Sequence, residues 1–167
     1  MNIRELLQTA PIFSCFDQSQ LRALEQAFSV QTFNEGHEFT REGERNRTMY
    51  LIVEGEVMVT RNRRDTAGFE LVKILGTGQI FGLITLLDKG YCTASCRALG
   101  DVKVASLPSE AFDVLMHNNA AIARNFQTVI VRQLTHDFHI ADSTLIGMIE
   151  SGDAKDIRRI AEIRSVL

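Results

Sequence analysis

The stretch Tyr50-Leu51-Ile52-Val53-Glu54-Gly55-Glu56-Val57 decides the fold. A run of strand-forming residues is interrupted by one glycine and resumes at once, too soon for any helix to fit between the breaks. The same texture spreads outward from it. Val30–Phe33, His37–Arg41, Met49–Val53, Glu56–Arg61 and Phe69–Leu75 read as short strands, and Thr93–Leu99 and Val102–Leu107 follow, with Gly100-Asp101 as the turn between them. Gly36, Gly43, Gly55, Gly68, Gly76, Gly78 and Gly82 punctuate the first five runs, mostly at intervals of 7 to 13 residues. That rhythm predicts a roll or barrel of short strands. Arg61 to Gly68 is polar and unpatterned, so it reads as a surface hairpin loop.

Helical spacing flanks this β segment on both sides. Ile3, Leu6 and Leu7, then Leu21, Leu24, Ala27 and Phe28 predict two N-terminal helices, the second capped by Asp17 or Ser19. Pro11-Ile12-Phe13 with Phe16 is an apolar approach that something else in the fold must cover. Pro108 opens a short amphipathic helix through Ala111, Phe112, Val114 and Leu115. From 119 to 150 there is no proline and no glycine before Gly147, and Ile122, Phe126, Ile130, Leu134, Phe138, Ala141, Leu145 and Met148 step by three or four. One long helix with a continuous apolar stripe is expected, too long to hide against a small roll. Its remaining stripe therefore predicts a homodimer through that helix. Ser151-Gly152-Asp153 ends it and caps a final short helix with Ile157, Ile160, Ala161 and Ile163 on its apolar side. The expected organisation is a roll with its N-terminal helices over 1–118, the long dimerisation helix over 119–150 and the short helix over 151–167.

Composition narrows the function classes. A net charge of -3 and a pI near 5.8 do not suit a surface built on phosphate-binding cations, so no nucleic-acid partner is expected. No stretch reaches the roughly 18 apolar residues of a membrane span, and Met1 to Ala10 lacks a secretory pattern. A cytoplasmic protein without a membrane partner is expected. Cys15, Cys92 and Cys96 form no CxxC pair. On one strand Cys92 and Cys96 would stand ~13 Å apart, beyond disulfide reach, so reduced and buried structural thiols are expected.

Several phrases in order resemble a known family. These are Pro11-Ile12-Phe13 with Phe16, Phe33-x-x-Gly36 followed by Arg41-Glu42-Gly43, Tyr50 to Val57, and Gly78-Gln79-Ile80-Phe81-Gly82 leading into Leu86-Leu87. Together they resemble the cyclic-nucleotide-binding domain of the catabolite activator and protein kinase A regulatory-subunit family. The resemblance implies a mainly β fold with flanking helices: a double-stranded, jelly-roll-like β-roll with N-terminal helices and a long C-terminal dimerisation helix. It also implies a phosphate cassette after Phe81-Gly82, in which a short helix points its amides at the cyclic phosphate. A glutamate there holds the ribose and an arginine the phosphate. Carried over by position, the glutamate falls on Leu83 and the arginine on Cys92, immediately before Thr93-Ala94. Both gripping side chains are absent.

The candidate ligand pocket is thus a degenerate cassette of Phe81, Gly82, Leu83, Ile84, Thr85, Leu86, Cys92, Thr93 and Ala94. It is either retuned for an apolar ligand or filled by its own side chains, and filling is the favoured reading. Amides of Ile84 to Leu86 and the Thr93 hydroxyl would offer an anion partial compensation, whereas Arg97 should face away from Cys92. The leading expectation is a regulatory module with weak or no cAMP and cGMP binding, no cofactor, and an unidentified protein partner. One alternative is a genuine small-ligand sensor using the same pocket. Another is a fragment of a transcription regulator without its DNA-binding module. No grouping of side chains reads as catalytic, so no enzyme is expected. His136, His139 and Asp142 read as a solvated helix face rather than metal ligands, Arg61, Arg63 and Arg64 as a solvated hairpin tip, and Asp156, Arg158, Arg159, Glu162 and Arg164 as an exposed helix coat.

Overall fold

The computed structural model describes residues 2–63 and 67–151. Its order is α1 (Ile3–Thr9), a 3-10 turn at Pro11–Phe13, α2 (Gln18–Ala27), β1 (Ser29–Phe33), β2 (Glu38–Thr40), β3 (Thr48–Asn62), β4 (Phe69–Leu75), β5 (Ile80–Phe81), α3 (Leu83–Asp88), β6 (Ser95–Pro108), α4 (Ser109–Asn118) and α5 (Ala120–Ser151). The mainly β class with flanking helices is what the structure shows. Asp17, one of the two residues expected to cap α2, is the cap: its side chain accepts from the amides of Ser19 and Gln20, and the Gln20 side chain returns the bond to Asp17. The short helix expected over 151–167 lies outside the described residues beyond Ser151.

Two strands are longer than the glycine pattern predicts. Met49–Val53 and Glu56–Arg61 are one strand, β3, and most of Thr93–Leu99 with Val102–Leu107 is one strand, β6, which begins only at Ser95. Gly55 and Gly100-Asp101 are therefore not turns. The ladder between β3 and β6 runs from Thr48↔Pro108 to Thr60↔Ser95, with register shifts on either side of Glu54. Extra residues at such bulges bend a strand without ending it, which single-strand reading of glycine cannot distinguish from a hairpin. The bend lets each long strand serve two groups. Toward one end β1, β6, β3 and β5 are neighbours, and toward the other β2, β6, β3 and β4 are.

One apolar cluster joins both ends. Ile52, Val102 and Val104 from the first meet Val57, Val59, Leu75, Cys96 and Ala98 from the second, with Phe39 and Phe81 among them. Gly55 makes the ladder possible. Its φ is +89°, and a β carbon there would lie 2.6 Å from the Asp101 carbonyl oxygen and 3.1 Å from the Val102 α carbon. Only glycine fits.

The chain divides into two compact units between Phe126 and Gln127. In the first unit the apolar approach around Phe13 and Phe16 is covered. Phe16 packs edge-on against Phe126, which meets Phe112 in turn, and Asn125 donates to the Cys15 carbonyl and to the Gln20 side chain, both at 2.8 Å. In the second unit the apolar stripe of α5 lies open: Leu134 and Phe138 are exposed, and Ile130 and Leu145 half-buried. The Ala141 and Met148 side chains lie outside the described residues. Among the described residues no helix is long and apolar enough to cross a membrane.

Gly55→Ala combines unfavourable φ with a backbone clash, whereas Gly100→Ala, at φ +86° with nothing within 4 Å, meets only the first. Thermal unfolding should show a loss of about 1–2 kcal/mol for Gly100→Ala and at least about 2 kcal/mol more for Gly55→Ala. Equal losses would contradict this account of the bulge.

Candidate functional site

The cassette is positioned by β5, whose Phe81 and Ile80 pair with Tyr50 and Leu51 of β3. Gly82 then turns the chain into α3. It has a φ of +74°, and a β carbon there would stand 2.5 Å from the Thr48 carbonyl oxygen, so the strand-to-helix step needs glycine. Asn46 closes the same corner: its amide nitrogen donates to the Thr48 carbonyl at 2.6 Å and reaches the Thr85 hydroxyl at 3.4 Å, and that hydroxyl donates to the Gly82 carbonyl at 3.1 Å.

The two positions that the resemblance assigns to a glutamate and an arginine hold buried apolar groups. Leu83 is 5% exposed and Cys92 6%. Phe81, Thr85 and Leu86 are buried too, Ile84 and Thr93 are exposed, and Ala94 is half-buried against the roll's core. The segment Cys92–Ala94 is bonded at each residue. Gly43 donates to the Cys92 carbonyl and the Cys92 amide donates to Glu44, both at 2.8 Å. Arg61 Nε donates to the Thr93 carbonyl at 2.9 Å, and Thr40 Oγ1 to that of Ala94 at 3.4 Å. Arg61 is exposed, as its run of arginines suggests, but it stands on β3 rather than at the hairpin tip and its side chain is bonded. Its place opposite Thr93 follows from the pairing of Thr60 with Ser95, which no local pattern reveals.

A cluster of rings runs from the buried Phe39 and Phe81 out to exposed His37. Tyr50 stacks on Phe81 at 4.8 Å, Phe39 touches both, and His37 stacks on Phe33 at 4.2 Å. Burial pushes the Tyr50 phenol and the Cys92 and Cys96 thiols above their ordinary ranges. The hydrogen bonds from Thr48, Thr85 and Thr40, respectively, pull the other way. All three are held neutral near pH 7. Arg97 is committed elsewhere: its Nε donates to Glu38 at 2.9 Å, and this bond, ahead of the one from Arg41, holds the Glu38 carboxyl below the usual carboxylate range. Sequence reasoning missed Asn46, Arg61 and the ring cluster. The aromatics are scattered over four elements, and only the sheet brings them together.

An antiparallel roll with an apolar interior and a short helix inserted between β5 and β6 defines the class of fold. The chain belongs to the cyclic nucleotide-binding domain family, whose model matches residues 30–119. It is 26% identical over 159 residues to the CRP-like cAMP-activated global transcriptional regulator of Mycobacterium tuberculosis, covering 95% of this chain and 70% of that one. It is 32% identical over 133 residues to the potassium/sodium hyperpolarization-activated cyclic nucleotide-gated channel 2 of Mus musculus, covering 80% of this chain and 15% of the channel. A solved cyclic nucleotide-binding domain from Methylobacillus flagellatus superposes with a TM-score of 0.78 at 21% identity, over 87% of this chain and 81% of that one. The first of these is named as a transcriptional regulator, the second as a channel and the third as a cyclic nucleotide-binding domain.

The thiol environment gives a direct check. With an aromatic disulfide reagent at pH 7, Cys92 and Cys96 should react only after denaturation, leaving at most half-buried Cys15 reactive in the native protein. More than one equivalent of native thiol would refute the closed interior. Arg97→Ala should raise the Glu38 pKa toward its ordinary value in a carboxylate NMR titration. The contribution of this carboxylate to stability is present above its unfolded pKa and lost as pH falls through the depressed folded value, so the variant should lose less stability on acidification.

Proposed function

We propose that this protein is a regulatory module of the cyclic-nucleotide-binding type that dimerises through α5, binds cAMP and cGMP weakly or not at all, and acts by contact with another protein. The observation that carries this reading is the burial of Leu83 and Cys92 where the family's resemblance calls for a carboxylate and a guanidinium. A leucine offers a ribose hydroxyl no acceptor, and a neutral thiol gives a phosphate no counter-charge. Removing one partner of a desolvated arginine–phosphate pair costs ~2–5 kcal/mol, a factor of ~30 to several thousand in affinity. The bonds around Thr85 and Cys92–Ala94 support a cassette closed by its own chain rather than one awaiting an anion. The exposed Leu134 and Phe138 support a second copy as the cover for α5.

Calorimetry with cAMP and cGMP should show no saturation in the micromolar range for the wild type. The double variant Leu83→Glu, Cys92→Arg should gain at least about 30-fold in affinity. Tight, saturable uptake by the unmodified protein would replace this reading with that of a true nucleotide sensor. Sedimentation should give a dimer, which Leu134→Glu with Phe138→Glu converts to monomer; a monomeric wild type would remove the dimer from the proposal.

A further inference from the structure

Between α2 and α4, which lie side by side, runs an apolar trough of about 580 Å³. Its floor is low because three of the residues along it end at the β carbon: Ala23 and Ala27, one turn apart on α2, and Ala111 on α4. Val114 and Leu115 of α4, with Ile122 at the start of α5, complete the apolar walls. Ile122 is buried and Leu115 half-buried, but Val114 is 60% exposed. Every one of these residues belongs to the first compact unit. Polar groups stand at the ends of the α4 stripe, Glu110 before it and Asn118 after it. Among the described residues that line the trough, Glu110 carries the one charge.

The open side decides what kind of occupant fits. A small-molecule site encloses roughly 70–90% of its ligand, whereas a trough with an exposed valine on its wall covers one side only. One covered side is what an amphipathic helix of another protein requires. Length agrees. Glu110 to Asn118 spans about 12 Å along α4, and aliphatic anchors at i, i+3 or i+4, and i+7 of a docking helix span about 10 Å. Charge sets the sign: exposed Asp113 lies beside exposed Glu110 on the flank of the α4 stripe, and no lysine or arginine is among the described residues lining the trough. We infer that the trough between α2 and α4 is the docking surface for a partner protein, and that its occupant is a short amphipathic helix with aliphatic anchors in the trough and a lysine or arginine facing Glu110. This names the partner class for the protein-directed reading above and rests on that reading.

The test uses the full chain as bait for a phage-displayed library of random peptides about fifteen residues long, some four helical turns. Peptides with aliphatic residues three or four apart and a net positive charge should enrich, and a synthetic copy of the commonest should bind the wild type. Val114→Glu places a good helix former at an exposed position, so circular dichroism should stay unchanged while peptide binding weakens at least about tenfold. Glu110→Gln should weaken it about two- to fivefold at low salt and not in roughly 1 M salt, where the screening length falls to about 3 Å. A selection that enriches nothing, or peptides that bind Val114→Glu as tightly as the wild type, would overturn the trough inference and leave the protein-directed reading to another surface. Enrichment of acidic peptides would overturn it too. A sedimentation coefficient that changes with Val114→Glu would give the trough to a second copy, against a partner helix. Saturable micromolar uptake of cAMP would overturn the protein-directed reading itself, and this inference with it.

Discussion

The long antiparallel ladder between β3 and β6 is the constraint on which the structure depends. Its two strands are shared by both ends of the roll, so every other strand is placed by pairing with one of them. The ladder bends only because register shifts absorb the curvature around Glu54, and because Gly55 lets β6 approach to a distance no side chain tolerates. From that bend follow the inward alternation of Val57, Val59, Cys96 and Ala98, the apolar interior, and the mouth at which β5 delivers α3.

The site inherits its character from the same geometry. Gly82 sits against Thr48 at the start of β3, so α3 is fixed to the ladder's end, with Asn46 and Thr85 as cross-braces. Leu83 and Cys92 then fall inside. Side chains of that kind add to the core at the places where the family resemblance calls for a carboxylate and a guanidinium. The chemistry of the mouth is therefore continuous with that of the interior, and this continuity carries the regulatory, protein-directed reading.

Much of this was legible in the residues. Helical spacing located α1, α2, α4 and α5, and the ordered phrases from Pro11 to Leu87 pointed to the family. What the residues concealed was longer in range. Gly55 and Gly100 look alike in a list of turn formers, yet both lie within strands, and only the first is in close contact with a neighbouring backbone. Arg61 belongs by composition to a polar loop, but the pairing of Thr60 with Ser95 brings it to the Thr93 carbonyl. β5 is two residues long, too short for any periodicity to declare it. The exposure of β4 was hidden as well: Phe69–Leu75 reads as a strand, but the register shift that leaves Val72 unpaired accompanies exposure of both adjacent Leu71 and Val72.

Asn125 has a consequence of another kind. It sits on the second turn of α5 and grips both the Cys15 carbonyl and the Gln20 side chain, while Gln20 itself completes the cap of α2. Two stretches more than a hundred residues apart thus meet at one carboxamide, and the root of α5 cannot rotate without unfastening the start of α2. The first turns of α5 are thereby part of the packing of the N-terminal helices, and a displacement at the start of α2 reaches Asn125 directly.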